Sequence, residues 1–144
     1  MLRESNHPLY HCDEMGNADL MSAASSGDPS RLTSLLDGGA DVNARDENGM
    51  TALMHAVKGS HTETVRVLLA RGADVNARGH FLGYEAIILA VKANNAEIVE
   101  LLIRNGFDPA LTDINFVIGV ARLTGNRRVI ELLDKAKAEL DSRQ

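Results

Sequence analysis

Apolar residues recur along the chain at helical spacing. Val65, Leu68 and Leu69 fall at i, i+3 and i+4, which lines one side of a helix. The same triplet occurs at Leu32, Leu35 and Leu36 and at Val99, Leu102 and Ile103. Within one residue of register it occurs again at Val129, Leu132 and Leu133. A shorter stretch marked by alanine precedes each triplet: Ala23 and Ala24, then Ala56, Ala90 and Ala121. Alanine there lets the helix of a neighbouring unit approach closely. A polar turn such as Lys58, Gly59, Ser60 and His61 separates the two segments. Gly39, Gly72 and Gly106 follow the triplets, where a helix commonly ends in left-handed geometry. The pattern predicts four copies of helix, tight turn, helix and loop.

The copies are also visible letter by letter. Gly39 to Arg45 reads GADVNAR, and Gly72 to Arg78 repeats it 33 positions later. A looser version, GFDPALT, begins 34 positions further on, at Gly106. A period in this range marks a repeat architecture, in which each unit buries its apolar sides only against its neighbours.

The segment TALMHAVKGSHTETVRVLLARGADVNAR, Thr51 to Arg78, resembles an ankyrin repeat, with its TPLHxA start, Gly-His turn, paired leucines and GADVNA loop. The resemblance implies an all-α fold: an ankyrin-repeat α-solenoid of helix-turn-helix units with β-turn finger loops. The array is expected over residues 17–138, in units of about 17–45, 46–78, 79–111 and 112–138. Residues 1–16 then form a leader or cap extension, and 139–144 a tail. Ala52 stands for the usual proline, and Met54 for the histidine that would bond Thr51, so Thr51 is expected to lose that partner. The third unit has Glu85 at the Thr position and one extra residue within His80 to Gly83. The first and last copies are atypical, as caps facing water should be.

The family uses its concave face, fingers plus inner helices, to grip other proteins. Carried over by position, the second finger offers Arg45, Glu47, Asn48 and Met50, and its helix offers His55 and Lys58. The third offers Arg78, His80, Phe81 and Tyr84, with Lys92 on its helix. The fourth offers Asn115, Phe116 and Arg122, with Leu123 beside them. Two of the chain's five aromatic residues, Phe81 and Tyr84, lie in one four-residue stretch. Aromatic side chains dominate many interfaces, which favours Tyr84 as an anchor. Phe81 is either a second anchor or, with Leu82, a plug between adjacent fingers. Asp41 with Asn43, and Asp74 with Asn76, read as loop staples. Both asparagines also sit in the Leu-x5-Asp-Val-Asn spacing that resembles sites of asparaginyl hydroxylation, a spacing the fold itself requires.

Composition narrows the function further. The net charge of −5, from 15 basic and 20 acidic residues, disfavours a nucleic-acid surface. No apolar run is long enough to span a bilayer, and the first twenty residues lack a secretory block. One cysteine, Cys12, allows neither an intrachain disulfide nor a thiolate zinc cage, so a reduced, cytoplasmic setting is expected.

Chemistry is sparse. His7 and His11, with Cys12 or Asp13, could ligate a metal at i, i+4 spacing, but Pro8 and the lack of a helix signal favour a leader. His61 matches a turn histidine that steadies the loop. His55 is expected to line the groove, with no Ser, Cys or carboxylate beside it. No phosphate loop, dinucleotide fingerprint or HExxH motif occurs. The outer-helix charges, such as Glu63 with Arg66 and Glu97 with Glu100, read as a solvated face. We therefore expect a monomeric, non-enzymatic module without cofactor or metal that binds another protein, with inhibition or escort as its use. The alternatives are a metal- or redox-responsive regulator built on His7, His11 and Cys12, and a structural self-assembly module. The charged LysAlaLysAlaGluLeu stretch speaks against the second, because it offers no apolar sticky end.

Overall fold

In the computed structural model of the chain, residues 16–81 and 85–143 are described. They form eight α-helices in four pairs: α1 (Asn17–Ser26) with α2 (Pro29–Asp37), α3 (Ala52–Lys58) with α4 (Thr62–Ala70), α5 (Ala86–Lys92) with α6 (Ala96–Arg104), and α7 (Ile114–Thr124) with α8 (Arg127–Asp141). A 3-10 turn at Pro109–Leu111 leads into α7. The first helix of each pair packs on the first helix of the next, giving an inner row α1, α3, α5 and α7. The outer row α2, α4, α6 and α8 stacks in the same order. No strand occurs among the described residues. Two isolated β-bridges, Arg45 with Thr51 and Arg78 with Glu85, pinch the bases of the second and third fingers.

Each element begins and ends for a local reason. The outer helices start at Asp28, Asn95 and Asn126, whose side chains accept the backbone N–H of Arg31, Ile98 and Val129. Asp113 caps α7 through the Phe116 N–H. Thr51 is not left unpartnered by the loss of its histidine: its Oγ1 accepts the Met54 N–H at 3.3 Å. Each inner helix is separated from its outer partner by one residue at positive φ, namely Gly27, Ser60, Asn94 and Gly125. Aligning the pairs on that residue puts Ala23, Ala56, Ala90 and Ala121 in one register, all with no exposed surface. Small side chains at this position let the inner row close up.

The outer stripe is settled by the caps. In α8 the buried residues are Val129, Leu133 and Ala136, so Leu132 is turned partly outward. The helix runs through Asp141, beyond residue 138, and Arg143 reaches back to Asp108 at 3.5 Å. Across the outer row, ion pairs join successive units: Arg71 with Asp37 at 2.7 Å, Arg66 with Glu97, and Arg128 with Glu100. These charges are paired with one another rather than simply solvated.

Asparagines lock the loops. Asn17 Oδ1 accepts the Asp41 N–H at 2.8 Å. Asn43 donates to the Gly72 carbonyl at 3.3 Å and accepts the Asp74 N–H at 2.8 Å. Asn76 repeats both bonds one unit on, with Gly106 and Asp108. Within each loop, Asp41 and Asp74 accept the N–H of Asn43 and Asn76. Each staple therefore spans two units, satisfying backbone groups that the loop alone would leave open.

Candidate functional site

The inner helices and the fingers meet along one face, and the second finger shows how that face is built. Asp46, Glu47, Asn48 and Gly49 form a turn in which the Gly49 N–H returns to the Asp46 carbonyl at 2.9 Å. Asp46 Oδ1 accepts the N–H of Asn48 and of Met50, each at 2.9 Å. Its Oδ2 lies 2.9 Å from His55 Nε2, where the ring N–H donates to the carboxylate. Burial would raise the Asp46 pKa. The His55 hydrogen bond, the two backbone N–H bonds and the His55 charge outweigh that effect, so the carboxyl lies below its ordinary value of 3.8.

That pair corrects the expectation that His55 has no carboxylate beside it. The finger doubles back over the start of α3 and delivers Asp46 to the ring nine residues later. The readable signal was an Asp at the first and a Gly at the fourth position of a turn. The Asp46 carboxylate is spent on organising its own turn and on holding the His55 ring. Gly49 has φ 77°, and a Cβ there would lie 2.6 Å from the His80 ring, so both its backbone and the close approach of the third finger require glycine.

Other candidates divide by what holds them. Arg45 donates to the carbonyls of Gly49 and Arg78, tying the second finger to the third. Arg78 Nε pairs with Glu85 Oε2 at 3.2 Å, which gives Glu85 a role in place of the missing Thr cap. His80 is exposed, with its N–H on the Asn48 carbonyl at 2.9 Å. Met50 requires a correction. It is only 3% exposed, because the turn tucks it under the finger into the core, and its side chain is not offered to a partner.

Glu47, Asn48, Lys58, Lys92, Asn115 and Arg122 are exposed. Phe81 keeps 58% of its surface in solvent, so it is not a fully buried plug; Phe116 is 43% and Leu123 88% exposed. Leu111 is a further exposed apolar residue that the sequence did not single out. Tyr84 lies outside the described residues, as do Leu82, His7, His11, Cys12 and Asp13. His61 behaves as a structural residue: its Nε2 meets the Ser25 carbonyl at 2.9 Å, joining the first two units at their turns. At the N-terminal end of the face, an open cleft of about 340 Å³ is lined by Asn17, Ala18, Met21, Arg45, Asp46 and Glu47.

A family model of ankyrin repeats, in three copies, matches residues 20–113. The chain belongs to the ankyrin-repeat family. Among curated proteins none matches the chain. The matched span begins at Leu20 within α1, runs through the third helix pair and ends at Asp113, the cap of α7. Ankyrin repeats are generally protein–protein interaction modules, and the family is typically non-enzymatic. No helix among the described residues is long and apolar enough to cross a membrane.

Proposed function

We propose that this ankyrin-repeat protein holds one partner protein against the face formed by its inner helices and fingers, blocking or escorting it without chemistry. The observation that carries the reading is the division of labour within that face. Arg45, Asn43 and Asn76 are consumed in fixing successive loops to one another, and Asp46 in holding its own finger to His55. Glu47, Lys58, Phe81, Lys92 and Leu123 are left exposed on the fixed frame. A surface ordered in advance loses little conformational freedom on binding, so its contacts count nearly in full. Tyr84 is an additional anchor in this reading.

The test is affinity capture from a native lysate with the full chain and with its E47K/F81A/K92A variant. All three sites are on the surface, and the thermal midpoint should hardly move. Partners retained by the wild type should be missing from the variant. Equal capture by both would place recognition elsewhere on the molecule.

A further inference from the structure

The chain carries a net charge of −5, yet three successive inner helices contain no carboxylate. Helix α3 reads ALMHAVK, α5 AIILAVK and α7 INFVIGVARLT, each with a basic residue in its last turn. A cation there complements a helix C-terminus, but that does not account for the distribution. The outer helices α2, α4 and α8 have no basic residue in the last turn, and Arg104 of α6 is paired with Glu100. Among the described residues Lys58, Lys92 and Arg122 make no ion pair, whereas on the outer side Arg31, Arg66, Arg71, Arg104 and Arg128 are matched to carboxylates and only Arg127, Lys135 and Lys137 of α8 are not.

The register sharpens the picture. With the inner helices aligned on their positive-φ residue, Lys58, Lys92 and Leu123 occupy one position, so two bare cations lead to an exposed leucine. Gly119 occupies the position of Met54 and Ile88, both of which are buried. Among the described residues α7 is the last helix of the inner row, and a Cβ on Gly119 would meet nothing within 4 Å. Glycine inside a helix weakens it relative to alanine, and here neither packing nor backbone conformation asks for it. Phe116 and Leu123 lie one turn to either side, so Gly119 leaves a notch between two exposed apolar side chains. The large exposed apolar residues among those described, Phe81, Leu111, Phe116 and Leu123, all belong to the third and fourth units.

We infer that the C-terminal half of this face receives an acidic segment of the partner protein, with an apolar side chain seated in the Phe116–Gly119–Leu123 notch. The inference rests on the face being the binding surface. Packed helices lie about 8–10 Å apart, and a polyproline II segment turns once every three residues with a rise of about 3.1 Å per residue. Carboxylates three residues apart on such a segment share one side and therefore match Lys58 and Lys92. Glu47, the exposed acid of the second finger, faces the other end and sets the polarity of the segment.

A random peptide library displayed on phage, selected on the full chain, tests this. The enriched peptides should be acidic with at least one Leu, Phe or Met. A synthetic copy, followed by fluorescence anisotropy, should bind about tenfold more weakly to K58E/K92E and in raised salt. G119F should also weaken it while leaving the thermal midpoint unchanged, and G119A should raise that midpoint. Enrichment of neutral or basic peptides, or none at all, would overturn the acidic segment while leaving lysate capture to decide the face itself. The inference also fails if single-stranded homopolymer RNA binds more tightly than the peptide. A dimer by light scattering that G119F dissolves would assign the notch to a second copy and overturn it as well.

Discussion

Asn43 and Asp74 sit in different repeats, and the Oδ1 of the first accepts the backbone N–H of the second at 2.8 Å. The amide group of Asn43 also donates to the Gly72 carbonyl, so one side chain closes a donor and an acceptor of the following loop. Replacing Asn43 by Ala opens both. A loss of about 1–3 kcal/mol is expected in urea unfolding. Asn43→Asp keeps the acceptor and loses the donor, so its loss should be smaller. An Asn43→Ala variant as stable as the wild type would show that the staple contributes nothing.

The Asp46–His55 pair sets an acid limb. Asp46 titrates below its ordinary value of 3.8, so the stability it lends is complete above that value and vanishes as pH falls through the lower, folded one. The stability gap between wild type and Asp46→Asn should be open well above pH 3.8 and close as pH falls through the acid range below it. Chemical denaturation across that range reads the gap. A gap that does not change with pH would remove the ionic part of the interaction.

Thr64 is 1% exposed, and its Oγ1 finds no hydrogen-bond partner among the described residues. Ile98 and Val129 hold the same third position of their outer helices. Thr64→Val keeps the shape and removes a buried hydroxyl, and should stabilise the fold by about 1–2 kcal/mol. A lowered thermal midpoint would mean that the hydroxyl is satisfied.

Ser60 has φ 58° and Asn94 φ 59°, at the turn where the first and last pairs have Gly27 and Gly125. Left-handed geometry costs a side chain with a Cβ, though asparagine tolerates it better than serine. Ser60→Gly should therefore gain about 0.5–1 kcal/mol, and Asn94→Gly less. The order of the two gains, read from paired melts, is the informative result.

Much of the architecture was legible in the sequence because repetition writes the same physics several times. The duplicated GADVNAR loop and the alanines at 23, 56, 90 and 121 each announce their place locally. What stayed hidden depends on contacts that no local pattern encodes. Met50 looks like a finger residue, but the Asp46 turn rotates it into the core. Asp46 and His55 are nine residues apart with no shared periodicity, and only the doubling back of the finger joins them. Gly119 reads as a weak point of α7 until the register places it opposite the space that a further helix would fill.

The most direct test of partner capture uses a photo-crosslinking phenylalanine analogue at single positions of the full chain, irradiated in native lysate. At Phe81 and Lys92, on the fingers and inner helices, a discrete crosslinked partner band is predicted, shared by both positions. At Glu63 and Arg104, on the outer helices, no such band is predicted. Crosslinks confined to the outer positions would contradict the account.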